Sequence, residues 1–310
     1  MKVVIVGAGA LGCLLGARLA AVTKVYFFDI DPQTVNAINS SGIFVEERDG
    51  SITEVRNVEA VEDHSELVDK IDLLIFCVKS YATRNAAELL HRFPALSSAL
   101  CLTLQNGLGN YEALAEFFDP LRILVGSTAQ GATLIAPGRV RHGGNGPTYI
   151  GSLQRGKDAD ISETVRLFRK AGLEAYEHGD VEKLLWEKLL INVGINAITA
   201  ITGILNGSIV EIPEARNLCC EAVKEALEVA ARKGIALPEN YCEKVLEVAN
   251  ATGKNRSSMG QDIDRGRRTE IDTINGAIVK LGMELDVPTP VNRTLTQLVK
   301  IVERAKKGNR

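Results

Sequence analysis

Residues 1–12 read MKVVIVGAGALG, and this stretch decides the fold. Val3–Val6 is a wholly apolar, mostly β-branched run, the pattern of a strand buried on both faces. Directly after it, Gly7-Ala8-Gly9-Ala10-Leu11-Gly12 has the spacing G-x-G-x-x-G, and Ala10–Ala21 continues with helical periodicity. Gly7 then makes a tight turn, Gly9 lets the backbone approach a pyrophosphate, and Gly12 permits close helix–strand packing. The helix N-terminus would stabilise the phosphate charge. The alternative is a structural turn that binds nothing. An acidic residue is expected about 20 positions on, at the end of the second strand, and Asp29 stands there after the apolar run Lys24–Phe28.

Outward from this point the chain alternates strands and helices. Asp31-Pro32 opens a helix with an N-cap residue and a proline at the first helical position. Gly42–Val58 alternates around Asp49-Gly50, a hairpin signal. Leu73–Val78 and Leu100–Leu104 are further buried strands. The expected fold class is α/β, an N-terminal Rossmann-like doubly wound parallel sheet followed by an all-helical domain. Arg122–Gly151, with its Gly and Pro turns, is expected to form the antiparallel edge of the same sheet. From about Ile161 helical periodicity dominates. Val181–Ala200, Glu211–Lys233, Glu239–Ala251 and Ile263–Leu281 are long helical stretches, the last three ended by Gly234, Gly253 and Gly282. Val287-Pro288-Thr289-Pro290 is a stiff connection to a last helix that becomes a basic tail, Arg304–Arg310. The expected division is a dinucleotide-binding domain over 1–175 and a helical substrate and catalytic domain over 176–310, with a cleft between them.

The 310 residues are 45% apolar and 24% charged with a net charge of −3, which argues against disorder, a fibrous fold and a strongly basic nucleic-acid binder. Leu184–Leu205 is the most apolar stretch, but Glu187, Lys188, Asn192 and Asn196 within it are costly in hydrocarbon, so no membrane partner is expected. Glycines and no cleavage site follow Val3–Val6, and a soluble cytoplasmic protein is expected. Cys13, Cys77, Cys101, Cys219, Cys220 and Cys242 show no CxxC and no His/Cys cluster of zinc spacing. Most lie in apolar runs, so reduced thiols and no metal site are expected.

Within the apolar segment, Lys188, Asn192 and Asn196 are spaced i, i+4, i+8, so on a helix they drift by only about 40° each and form one stripe. Buried polar groups need partners. Either these three satisfy one another and the backbone in a helix–helix network, or they line a site for a polar ligand. An amine beside a nicotinamide could protonate the alkoxide formed as hydride adds to a ketone, and desolvation lowers its pKa toward the working range. Lys79 follows the strand ending at Val78, and Gln105-Asn106-Gly107 follows the next, both at the carboxyl edge where such sheets bind ligands. The plainer readings are a solvated lysine and a turn-forming asparagine. Ser257 or Ser258 could cap a helix with Asp262 in its first turn. On a regular helix Glu270 lies about 120° around from Ser258, so periodicity does not bring the two together.

The start MKVVIVGAGALG, the segment LQNGLG, the helix WEKLLINVGINAITAI and the segment SSMGQDI…RRTEIDTINGAIV together resemble the ketopantoate reductase (2-dehydropantoate 2-reductase) family, from Met1 to about Val299. The resemblance implies that Lys188 is the general acid, with Glu270 beside the reacting centre and the cofactor. Asn192, Asn196, Asn206 and Ser258 would bind substrate. Gly7, Ala8, Gly9, Ala10, Leu11, Gly12, Lys79, Asn106 and Ala132 would contact cofactor. It implies NADP(H) as cofactor, 2-dehydropantoate reduced to (R)-pantoate on the route to pantothenate and coenzyme A, and a homodimer. One departure stands out: Phe28-Asp29-Ile30-Asp31 has no basic residue until Arg48, where many members carry one that suits the 2′-phosphate. Asp29 therefore keeps NAD(H) as an alternative cofactor. Related 2-oxo acid or 2-hydroxy acid oxidoreductases, and a sensor that binds dinucleotide without chemistry, are the other readings.

Overall fold

Short apolar runs build the centre of the first unit in the computed structural model, which describes residues 1–308 except 64–66, 68–69, 94–95, 97, 155 and 157. The chain forms β1 (Val3–Val6), α1 (Ala10–Leu19), β2 (Val25–Phe28), α2 (Pro32–Ser41), β3 (Ile43–Glu46), β4 (Ile52–Val55) and β5 (Val58–Val61). It continues through β6 (Leu73–Phe76), α3 (Thr83–His91), β7 (Leu100–Thr103), α4 (Asn110–Ala115) and β8 (Ile123–Thr128). Then come β9 (Gly131–Ala136), β10 (Arg139–Gly144), β11 (Thr148–Gly151), α5 (Asp158–Lys170) and β12 (Ala175–Glu177). The helical part has α6 (Val181–Thr202), α7 (Ser208–Glu211), α8 (Pro213–Arg232), α9 (Tyr241–Ala251), α10 (Ser258–Asp264), α11 (Asn275–Glu284) and α12 (Pro290–Gly308). One unit comprises residues 1–105 and 110–181, and the other 106–109 and 182–310.

In the first unit β1, β2, β6 and β7 are buried along their whole length, in keeping with their almost wholly apolar sequences, Thr103 at the end of β7 excepted. The main sheet has the order β5-β2-β1-β6-β7-β8-β11-β12. All neighbours are parallel except β11, which runs against β8. From β1 the chain moves outward to β2 and β5, then returns to β6 on the other side, so the topological switch lies between β1 and β6. Asp31 caps α2, accepting from the Gln33 amide at 3.2 Å with Pro32 at the first helical position. The hairpin at Asp49-Gly50 is also present, with Ile43 opposite Val55 and Glu46 opposite Ile52.

Several expectations are corrected. Of this stretch only β11 belongs to the antiparallel edge, which it forms together with β12 outside it. β8 runs parallel to β7, and β9–β10 leave the main sheet to join the hairpin in a second sheet of order β4-β3-β10-β9. That small sheet covers α1, whose Leu14 and Leu15 share the core with Val45 and Val140. The stretch Ile263–Leu281 is not one helix: α10 stops at Asp264 and α11 begins at Asn275, with Glu270 on the turns between. Gly282 does not end its helix. It lies inside α11, where a β-carbon would come within 2.7 Å of the Val287 carbonyl, so close backbone approach explains it. The thiols are not all reduced. Cys220 of α8 and Cys242 of α9 form a disulfide with Cα atoms 5.3 Å apart, because the two helices pack side by side. Cys13, Cys77, Cys101 and Cys219 are free. The last two residues of the basic tail, 309 and 310, lie outside the described residues.

The helical unit is organised around α6. Its length and composition would allow it to cross a membrane, but Trp186, Leu190 and Val193 pack into a core with Val223, Val245, Ile278 and Val299. Gly194 lets neighbours in: a β-carbon there would come within 2.8 Å of Cys219 Sγ on α8 and of Val245 Cγ1 on α9. A buried polar network crosses the same core. The Glu225 carboxylate on α8 accepts from the Val291 and Asn292 amides at the start of α12, at 2.8 and 2.9 Å, and from Asn292 Nδ2 at 2.8 Å. Asn292 Nδ2 also donates to the Ala222 carbonyl, and Asn275 Nδ2 of α11 donates to Asn292 Oδ1 and the Val193 carbonyl.

Candidate functional site

The first unit brings the glycine turn to the carboxyl ends of four adjacent strands. Gly7 has φ +100°, and a β-carbon there would strike the Val78 amide at 2.8 Å. At Gly12 a β-carbon would fall 2.0 Å from the Gly7 carbonyl. Packing thus dictates both glycines. Gly9, the N-cap of α1, is different: a β-carbon would meet nothing within 4 Å. The room above Gly9 fits a ligand that approaches the backbone, and the adjoining amides of Ala10 and Leu11 start the helix where an anion is stabilised. Asp29 follows β2, and its Oδ2 accepts from the Ala8 amide at 2.7 Å while Oδ1 accepts from the Asp31 amide at 3.0 Å. The carboxylate is therefore held against the glycine turn. It keeps lone pairs for further donors, since a carboxylate offers about four acceptor positions.

Lys79 follows β6 beside β1, half-buried, and Gln105 follows β7 with its Nε2 donating to the Val78 carbonyl at 2.7 Å. Asp29, the glycine turn, Lys79 and Gln105 thus stand in a row along one sheet edge. Ala132 is elsewhere in the unit, on β9 of the small sheet opposite His142.

In the helical unit α6 carries the polar stripe. Asn196 is buried, whereas Lys188 and Asn192 are half-buried. Among the described residues, the buried Nδ2 atoms of Asn192 and Asn196 make no hydrogen bond. Leaving such donors unmatched costs about 1–3 kcal/mol each. A buried helix–helix network of the kind considered as an alternative is built in this unit by Glu225, Asn292 and Asn275. Desolvation pulls the Lys188 ammonium down to about 8, opposed by the negative charge of Glu270.

Glu270 reaches this neighbourhood because the helix is broken. Its carbonyl accepts from the Thr273 and Ile274 amides, closing the turn that carries it, and its side chain is buried. Asn106 Nδ2 donates to Glu270 Oε2 over a long 3.4 Å. The segment 106–109 is seated on the same turn. The Leu108 amide donates to the Thr273 carbonyl at 2.9 Å, and Gly107, at φ +81°, lies so close that a β-carbon would be 2.5 Å from that oxygen. Lys188, Glu270 and Asn106 therefore belong to one constellation.

Ser257, not Ser258, is the N-cap of α10: its Oγ accepts from the Gly260 amide at 3.0 Å and from Thr199 Oγ1 at 2.6 Å. Ser258 is thereby left exposed at the first helical position. Asn206, after α6, donates Nδ2 to Thr252 Oγ1 at 3.0 Å, and its buried Oδ1 makes no hydrogen bond. Two contributors escaped sequence reasoning, Arg256 and Thr199, which join α10 to the end of α6. The one available signal was Gly260, a glycine inside a helix. Among the described residues, no group of three or more His, Cys, Asp or Glu side chains could hold a metal.

The family described as "Ketopantoate reductase PanE/ApbA" matches residues 3–155, and "Ketopantoate reductase PanE/ApbA C terminal" matches residues 180–303. A protein named 2-dehydropantoate 2-reductase from Halobacterium salinarum is 39% identical, over 98% of this chain and 99% of its own length. The crystal structure of a PanE/ApbA family ketopantoate reductase from Ralstonia eutropha superposes with a TM-score of 0.89 at 34% identity, covering 99% of this chain and 100% of the other. A D-mandelate dehydrogenase solved with NADH and anilino(oxo)acetate has a TM-score of 0.92 at 27% identity, with 99% and 100% coverage.

Proposed function

The chain belongs to the ketopantoate reductase family, and from that membership we infer that it reduces 2-dehydropantoate to (R)-pantoate with a nicotinamide cofactor, Lys188 serving as proton donor. The observation that carries the mechanism is the α6 stripe: a half-buried amine at about 8, beside two buried amides with donors to spare. When bound, reduced nicotinamide supplies hydride to C2 of the 2-oxo acid. Lys188 gives a proton from Nζ to the oxygen on C2 as negative charge develops there, and its lowered pKa shortens the energetic distance of that transfer. Asn192 and Asn196 bind the hydroxyl of the substrate through Nδ2, and Ser258 and nearby amides hold its carboxylate. Glu270 orients Lys188 and keeps enough of it charged to act as an acid. Asn206 completes the substrate shell. Gly7–Gly12 would hold the pyrophosphate, with Lys79, Asn106 and Ala132 as further cofactor contacts.

The reaction is tested by mixing protein, reduced cofactor and ketopantoate and following the nicotinamide absorbance band. A flat trace with cofactor binding confirmed by fluorescence would favour a sensor, and turnover of another 2-oxo acid in preference to ketopantoate would favour a sister oxidoreductase. We further propose that NADH is accepted comparably to NADPH or better. Asp29 supports this reading: pinned to the glycine turn by the Ala8 amide, its carboxylate would accept ribose hydroxyls of NAD and repel a 2′-phosphate. The NADH-bound D-mandelate dehydrogenase relative adds support from the same fold. A kcat/KM ratio above about 100 in favour of NADPH, nearly 3 kcal/mol, would overturn it.

A further inference from the structure

Arg256 lies between α9 and α10, one residue before the Ser257 cap, and its guanidinium is fully engaged. Nη1 donates to the Thr199 carbonyl in the last turn of α6 and to the Ile204 carbonyl just beyond it, the latter at 3.2 Å. Nε and Nη2 form a fork to the Asp264 carboxylate at 2.9 and 3.0 Å, and Nη2 also reaches the Gly260 carbonyl at 3.4 Å. The Thr199 carbonyl also accepts from the Gly203 amide at 3.0 Å, and the last turn of a helix carries its negative dipole end, so a cation there is stabilising. The planar group rests on Gly260: a β-carbon there would come within 2.5 Å of Cζ and Nη1. Glycine inside a helix costs roughly 1 kcal/mol relative to alanine, and the seat for the guanidinium supplies a reason for it.

The two helices joined this way carry the proposed substrate groups, with Asn196 about one turn before Thr199 and Asn192 and Lys188 successively one turn further back along α6. α6 bears Lys188, Asn192 and Asn196, and α10 opens on Ser258. We propose that Arg256, seated on Gly260, is a positioning residue for the 2-oxo acid, holding Ser258 at a fixed separation from Asn192 and Asn196 and so governing KM for that acid. Arg256 needs the whole fork: a lysine would keep the charge at the end of α6 but could not bond Thr199, Ile204 and Asp264 together. This inference rests on the reading of α6 and Ser258 as the substrate wall.

The test is steady-state kinetics with ketopantoate at saturating cofactor, alongside cofactor binding by nicotinamide fluorescence. The variants are Arg256→Gln, Arg256→Lys, Gly260→Ala and the double variant Arg256→Gln/Gly260→Ala. Arg256→Gln should raise KM about tenfold with kcat changed less than about threefold and cofactor binding unchanged, because misplacing a binding group by a fraction of an ångström already costs that much. Arg256→Lys should recover only part of this. Gly260→Ala should mimic Arg256→Gln, since the new methyl lifts the guanidinium off its seat. The double variant should be no worse than Arg256→Gln alone, because the methyl then has room. An unchanged KM in folded single variants, additive effects in the double, or parallel loss of kcat, KM and cofactor binding would each overturn the proposal. If Arg256→Gln does not fold, Gly260→Ala alone decides, and failure of both to fold would make the pair a structural anchor and refute the positioning role. An inactive wild type would instead refute the substrate reading.

Discussion

The helical unit holds two buried polar sets that differ in one respect. Glu225, Asn292 and Asn275 direct their side-chain donors to each other and to the backbone, tying α8, α11 and α12 to α6, although the buried Asn275 Oδ1 makes no hydrogen bond. Lys188, Asn192 and Asn196 share one face of α6, yet the two amides keep buried donors without partners. Both sets interrupt apolar packing, so both are costly unless matched. A set matched inside the fold strengthens the fold. The Nδ2 donors of Asn192 and Asn196, left unmatched, could be completed by a polar ligand. Residue type does not separate the two classes, since each contains asparagines on helices; the fate of the donors does.

That contrast breaks most readily at Lys188. Lys188→Ala should lower turnover about 10²–10⁴-fold, the usual worth of a proton donor, while its thermal midpoint stays level or rises, because a desolvated amine is removed. Turnover close to wild type would end the assignment. The opposite behaviour is expected at Glu225. Glu225→Ala strands the Val291 and Asn292 amides and leaves Asn292 Nδ2 only its bond to the Ala222 carbonyl, and denaturant unfolding should report a loss of about 2–3 kcal/mol with kcat retained in the folded fraction. If Glu225→Ala abolished catalysis at unchanged stability, the two sets would not be distinct.

A finer test uses Asn196→Ala, which should raise KM for the 2-oxo acid by roughly three- to tenfold, one hydrogen bond's worth, without loss of stability. Destabilisation equal to that of Asn292→Ala would return the stripe to the structural class. The smallest effect is in the pH profile. Reduction needs protonated Lys188, so kcat/KM should fall as pH rises through about 8. Glu270→Gln removes the charge that raises the lysine's pKa, so the descending limb should move to lower pH. A limb that stays in place, or moves upward, would separate Glu270 from Lys188.

Much of this was readable in one dimension. The glycine turn could be read because its requirement is local: Gly7 needs positive φ and Gly12 lies against the Gly7 carbonyl, both set within a few residues. The Asp31-Pro32 cap and the Asp49-Gly50 hairpin are local in the same way. The stripe on α6 follows from a helix long enough for its period to be unmistakable. Less was readable where short elements or distant partners decide. The interval between α10 and α11 carries residues compatible with a continuing helix, and only the seating of 106–109 on the Thr273 turn reveals why the chain breaks there.

What the chain's own order of residues determined is a doubly wound sheet with a dinucleotide turn, a helical half and a polar stripe, because these rest on backbone sterics and on periodicity over ten or more residues. Tertiary structure alone decided that β9 and β10 leave the main sheet, that Cys220 meets Cys242, that Glu270 comes to Lys188 and Asn106, and that Arg256 lies on Gly260. Each of these is a meeting of residues far apart in sequence or folded into short turns, chosen by which surfaces pack together, and no spacing along the chain encodes that choice.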